Sequence, residues 1–178
     1  MARAFFCVFV AFLYTCVFAA PASKATSIEG FSIGEIINLL GIGLVTGIHV
    51  NITLDSLTTN LVSIDFDVKN PLPFELTIDS ISSSAGVNST QYAAFDYTFD
   101  SGLVVPPLGT KNSGVIDNVL LTQGALASLD IIPLGYLDLL DTDANIRAAT
   151  ILGHLGIPIP LDGLKQKTVP TTYDLVLS

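Results

Sequence analysis

Two eight-residue alternations, separated by a short polar break, constrain this chain more than any other feature. Ile48, Val50, Ile52 and Leu54 alternate with His49, Asn51, Thr53 and Asp55; Val62, Ile64, Phe66 and Val68 then alternate with Ser63, Asp65, Asp67 and Lys69. A period of two sends successive side chains to opposite faces, so the spacing predicts two half-buried antiparallel strands, each with one wet face. Asn70, Pro71 and Pro73 end the second strand, because proline has no N–H to give a sheet ladder.

The same period continues downstream. Phe74, Leu76 and Ile78 alternate with Glu75, Thr77 and Asp79, and Ala93, Phe95, Tyr97 and Phe99 oppose Ala94, Asp96, Thr98 and Asp100. The next strand, Val115 to Thr122, carries apolar groups on both faces, which predicts a cover for its outer side. The expected cover is a helix capped by Thr122, bearing Ala125, Leu126, Leu129 and Ile132 and stopped by Pro133; a bound apolar ligand is the alternative. Strands are also expected over 144–152 and 157–167, with a possible eighth from Tyr173 to Leu177. Upstream, Ile33, Ile36, Ile37 and Leu40 have helical spacing loosened by Gly34, Gly41 and Gly43, which predicts a short helix across one end of the sheet. Together these elements predict an all-β antiparallel β-sandwich of about seven strands with one or two short helices.

The amino terminus has the form of a secretory leader: Arg3, then an apolar run to Ala20 with small residues at Ala19, Ala20 and Ala22. We expect residues 1–19 to be removed, 20–47 to form a lead with the short helical segment, and 48–178 to form the domain. Secretion is the expected localisation, with a vacuolar lumen or an uncleaved anchor as alternatives. Both cysteines, Cys7 and Cys16, lie in the leader, so the domain must hold together without disulfides. The roughly 160 residues that remain are enough, since a domain of that size buries about 70% of its unfolded surface. Sixteen acidic residues stand against seven basic ones, for a net charge of −9. The scattered Lys69, Lys111, Arg147, Lys165 and Lys167 argue against binding nucleic acid or anionic lipid through a basic patch.

Candidate chemistry is sparse. Gly30-Phe31-Ser32-Ile33-Gly34 has the G-x-S-x-G form, with Asp143 and His154 following in hydrolase order, but no strand precedes Ser32 to present it. Asp138, Asp141, Asp143 and Asn145 suggest the opening of a calcium loop, yet Ile146 stands where glycine makes the turn and Leu152 where a glutamate closes the shell. His49 and His154, without a partner cysteine, are too few for a structural zinc. Asp65 and Asp67 share a strand face and are expected to be solvated rather than an acid and base pair. No cofactor and no metal are expected. Asn51-Ile52-Thr53 and Asn88-Ser89-Thr90 are glycosylation sequons, Asn88 the better placed because it falls in a loop.

A family likeness lies in the order of a strand, an Asn-Pro-x-Pro stop and a late Ile-Pro-Ile-Pro-Leu strand. Val68-Lys69-Asn70-Pro71-Leu72-Pro73-Phe74 and Ile157-Pro158-Ile159-Pro160-Leu161 carry it. In these motifs the chain, from about Ile48 to Val169, resembles the second late-embryogenesis-abundant group, the water-stress and hypersensitive-response domain. The resemblance implies an immunoglobulin-like β-sandwich, an association with stress protection and, from related fungal vacuolar proteins, lipid handling. It implies no catalytic residues. The functional expectation is therefore a non-enzymatic secreted domain that binds lipid or another apolar ligand, with Val115, Val119, Leu120, Leu121, Ile36 and Leu40 as groove walls. The alternative is a structural, stress-protective or protein-interaction module without a pocket. The sequence carries no signal of oligomeric state.

Overall fold

The computed structural model describes residues 38, 41 and 43–176. The expected leader and most of the expected helical segment, Ile36 and Leu40 included, lie outside the described residues. Eight strands follow in order: β1 (Val45–Thr53), β2 (Leu61–Lys69), β3 (Leu76–Val87), β4 (Thr90–Val105), β5 (Thr110–Asn112), β6 (Ile116–Leu121), β7 (Tyr136–Ala148) and β8 (Ile157–Val176). A helical turn, α1 (Ser56–Thr59), joins β1 to β2, while α2 (Ala125–Ser128) runs into a 3₁₀ segment (Leu129–Leu134) between β6 and β7. Among the described residues no helix is long and apolar enough to cross a membrane.

The strands do not form the expected immunoglobulin-like sandwich. They hydrogen-bond in the order β1-β8-β7-β3-β4-β6-β2, and β2 returns to β1, so seven strands close into a barrel. The short β5 pairs with β2 at Asp67, Val68 and Lys69, continuing the side that β6 occupies at Leu61, Val62 and Ile64. Closure depends on the two chain-distant ends of the domain: β1 lies antiparallel to β2 and parallel to β8, with Val50 opposite both Ile64 and Tyr173. Alternation cannot distinguish a sandwich from a barrel, since both ask only for one inward and one outward face. The sheet closes because β1 pairs on both sides, which removes the open edges a sandwich would keep.

The two opening alternations fold as their pattern demands except at Leu54, which lies beyond the end of β1 and is 60% exposed. Ile48, Val50 and Ile52 of β1 and Val62, Ile64, Phe66 and Val68 of β2 are buried, and the residues between them are more exposed. β1 begins at Val45, so it takes in residues expected to belong to the lead. On β4 the inward set includes Phe95, whose ring lies 6.3 Å from that of Phe66, and Tyr97 meets Phe99 edge-on at 4.9 Å. The two late strands expected at 157–167 and 173–177 are one strand, β8. Its exposed Pro158 and Pro160 lie where β8 pairs only with β7, opposite Arg147 and Asn145, so their missing N–H groups deprive no ladder on the β1 side.

Asn70 does more than stop β2. Fully buried, it donates its side-chain amide to Phe74 O at 2.7 Å and Pro106 O at 3.2 Å, while its Oδ1 accepts from Leu72 N at 2.9 Å. Its backbone N–H bonds Gly109 O at 2.8 Å. One side chain thus holds the β2–β3 turn, where Pro71 and Pro73 are exposed, against the β4–β5 turn, and leaves no buried polar group of its own unpaired.

Candidate functional site

The inward faces of the strands enclose an apolar cavity of about 70 Å³. Val50, Ile64, Phe66, Phe95, Val119 and Leu137 are among its walls. One end is shut by the α2 and 3₁₀ segment, from which Ser128 and Ile131 reach the cavity. Gly124, at the N-cap of α2, has no side chain to cap it; Asn60 Oδ1, from the end of α1, accepts Ala125 N–H at 2.8 Å instead. The helical segment expected to cover the outer face of β6 therefore plugs the barrel, and its expected form holds only in part: Ala125 is buried, but Leu126 is 72% exposed, Gly124 rather than Thr122 is the N-cap, and Pro133 lies inside the 3₁₀ segment instead of stopping the helix.

Polar groups interrupt this apolar surface, among them Ser128, whose hydroxyl donates to Gly124 O at 2.9 Å. Ser83 and Thr142 satisfy one another, with Oγ to Oγ1 at 2.7 Å. Tyr173, also a lining residue, has a buried hydroxyl with no hydrogen-bond partner among the described residues. Burial disfavours its phenolate and pushes the pKa up to about 12, so at neutral pH it is an unpaired O–H donor.

Between β1 and β8 the barrel wall is only partly laddered. Their backbone ladder covers only Ile48–Thr53 against Thr171–Val176. Before that, the Gln166 side chain takes the place of a strand: Oε1 accepts Leu44 N and Val45 N at 3.0 and 3.1 Å, and Nε2 donates to Val45 O at 2.5 Å. Asn38 clamps the adjacent stretch of β8, donating to Gly163 O and accepting from Lys165 N, both at 2.7 Å. A smaller cavity of about 40 Å³ lies against Gln166 and shares Val45, Leu139 and Thr142 with the interior.

The residues expected to form a groove divide accordingly. Val119 and Leu121 point inward and line the cavity. Val115 and Leu120 point outward, Leu120 at 47% exposure, and the predicted cover over them is absent from the described structure. The local pattern could not separate the two sets, because Asn118 adopts a positive φ of 63° and the pairing of β6 with β2 shifts between Val62 and Ile64, so the alternation there is broken. Tyr173, Gln166, Ser83 and Thr142 were not foreseen as site residues. The odd-numbered set of β4 was the available signal for the inner wall.

The other candidate chemistry disperses. Asp138, Asp141, Asp143 and Asn145 belong to β7 rather than to a turn, and Asp138 and Asp143 accept Thr168 N and Gly163 N. Among the described residues no group of three or more His, Cys, Asp or Glu side chains could hold a metal ion. Asp65 and Asp67 share the amide of Asn112, at 2.8 and 2.9 Å. His154 lies on the β7–β8 loop, apart from Asp143 on its strand, and Ser32 is outside the described residues. On the outer face His49 joins Thr172 Oγ1 at 2.8 Å and Asp174 Oδ2 at 3.2 Å. That order of hydroxyl, imidazole and carboxylate mimics a catalytic chain. However, the groups lie on an open strand surface whose neighbours line the cavity on the opposite face. Of the sequons, Asn88 stands exposed at the tip of the β3–β4 hairpin, with Asn88 and Ser89 both at positive φ as a type I′ turn requires. Asn51 lies in β1 with its Oδ1 buried and without a partner among the described residues.

The sequence matches no family model, and no curated protein matches it significantly. Among solved structures, a protein from Archaeoglobus fulgidus is similar over 58% of this chain and 82% of its own, at 13% identity and a TM-score of 0.31. A likeness that slight carries no argument about function.

Proposed function

We propose that this chain is a non-enzymatic, secreted β-barrel that holds a small apolar ligand, or the apolar end of a lipid, in its interior. The observation that carries the reading is the 70 Å³ cavity with apolar walls. An empty space of that size costs about 2 kcal/mol at the rate measured for residual cavities, and such apolar cavities stay dry and take up apolar guests. It is about half the volume of an engineered cavity that admits benzene, which suits a small molecule or a chain end rather than a whole lipid. The orphaned Tyr173 hydroxyl supports a guest that also carries one acceptor oxygen. The motif likeness to the water-stress group is consistent with this reading. Asn88 is the proposed glycosylation site.

Native mass spectrometry of the purified protein, followed by titration with a fluorescent fatty acid, tests the proposal. Saturable binding by the wild type, lost in Ala93→Phe, which fills the cavity from β4, is the expected result. Absence of saturable binding by any acyl or small apolar probe overturns it and leaves the structural or protective role standing.

A further inference from the structure

The end of the barrel opposite the helical plug is built from three loops: residues 70–75, 106–109 and 149–156. Asn70 ties the first two together, Leu108 N–H bonds Leu72 O at 2.9 Å, and Glu75 ties the first to the third. On the third, Leu152 is 81% exposed, Leu155 79% and Ile151 69%; Leu108 and Ile157 beside it are also largely exposed. Surface aliphatics scattered singly need no explanation, but several on connected loops at one end do.

The 149–156 loop is braced, and its bracing is internal. Ile151 and His154 exchange backbone N–H to O bonds at 3.0 Å. Arg147 Nη1 donates to both Gly153 O and Leu155 O at 2.9 Å, while its Nε and Nη2 engage the two oxygens of Asp79 at 2.7 Å. Glu75 Oε1 accepts Gly153 N–H at 2.9 Å and the Thr150 hydroxyl at 2.8 Å. Leu152 and Leu155 are held at φ 52° and 59°, a left-handed conformation that is costly for a leucine, and Gly156 at φ 102° supplies the turn that no side-chain-bearing residue would accept. The strain presents two leucines to the outside when burial would have been their default.

We infer that this end of the barrel docks on a lipid bilayer surface, with Ile151, Leu152 and Leu155 entering the acyl boundary. Three observations select a bilayer over a protein partner. The tips are aliphatic, with Ile151, Leu152 and Leu155 each more than two-thirds exposed. Part of the loop's polar backbone, the N–H groups of residues 150, 151, 153 and 154 and the carbonyls of 151, 153, 154 and 155, is already bonded within the protein, which lowers the cost of entering a medium that offers no hydrogen bonds. The charge also fits: the three loops carry one charged residue, Glu75, bound internally, while exposed Lys69, the last residue of β2, and Lys111, the middle residue of β5, stand beside them. An otherwise acidic protein thus turns its neutral to cationic end outward, where the lysines meet phosphates as the leucines insert.

The inference is independent of the interior ligand, and its test keeps the two apart. The chain, with the N-terminus its intact mass reveals, is sedimented with phosphatidylcholine vesicles with and without phosphatidylserine. Wild type should bind, more tightly with phosphatidylserine, and Leu152→Asp/Leu155→Asp should weaken binding by about tenfold or more. Leu126→Asp, an equally exposed leucine at the plugged end, is the control and should bind as wild type does. Circular dichroism melts confirm that each variant is folded. No vesicle binding by wild type, equal loss in both variants, or binding untouched by Leu152→Asp/Leu155→Asp overturns the inference. So does a wild-type dimer, detected by light scattering, that the double variant dissolves, since the loops would then join two copies.

Discussion

The side-chain amide of Gln166 pairs with the backbone of Val45 as a strand would, accepting its N–H at 3.1 Å and donating to its carbonyl at 2.5 Å. Where β1 and β8 lack a ladder, this one side chain closes the barrel. Gln166→Ala should leave Leu44 N, Val45 N and Val45 O unpaired by protein and cost about 1–3 kcal/mol in urea unfolding. In stopped-flow mixing, a ligand that enters through this seam should exchange faster in the variant, with the interior walls unchanged. Equal exchange rates would place the entry elsewhere.

Tyr173→Phe should raise stability at neutral pH by about 1 kcal/mol, because it removes a buried hydroxyl that has no partner among the described residues. The wild type also has an alkaline liability. The unfolded phenol ionises near 10.0 while the folded one holds its proton to about 12, so its contribution is intact below pH 10 and is lost as pH rises through that window. Thermal melts between pH 9 and 12, an interval of about that titration range, should fall more steeply for wild type than for Tyr173→Phe.

Acid should loosen the apolar loop. The Gly153 N–H, and after it the Thr150 hydroxyl, hold the Glu75 carboxyl below its ordinary range. The stability this gives the loop is present above the ordinary glutamate pKa and is lost as pH falls through the depressed folded value. Hydrogen exchange should show Gly153 protected at neutral pH and exposed on acidification, and Glu75→Gln should reduce the difference. Exchange that is flat with pH would mean the brace rests on Arg147 alone.

Faces within a strand can be tested one residue apart. Phe66→Asp buries a charge among Ile64, Val68 and Phe95 and should unfold the barrel or abolish its recovery, at a cost of several kcal/mol. Asp65→Asn, on the outer face beside Asn112, should shift stability by less than about 1 kcal/mol.

The two faces of β6 give a second such pair. Val119→Ala, at a fully buried wall position, should cost about 2–3 kcal/mol and alter ligand uptake, while Leu120→Ala should do neither. Equal effects in melting and titration would mean that the outer face of β6 is covered in solution.

The alternations from Ile48 to Val68 determined two strands, their inward faces and the stop at Asn70, because a period of two over eight residues leaves no competing local structure. The odd-numbered residues of β4 were legible in the same way. Tertiary structure alone decided that these strands close on themselves. Val50 finds Ile64 on one side and Tyr173, more than a hundred residues away, on the other, and nothing near Val50 in the chain encodes that second neighbour. The candidate site follows from closure. Gln166 reads as a polar residue in a late strand and Tyr173 as the start of a doubtful one, and each acquires its role only when β8 is laid beside β1. The same holds for the segment after Thr122: its pattern supplied an apolar helical face, but where that face packs depended on an open barrel end, which exists only once seven strands have met. Local periodicity fixes what a segment hides; which partner hides it is a matter of long-range pairing, and that is settled by the whole chain at once.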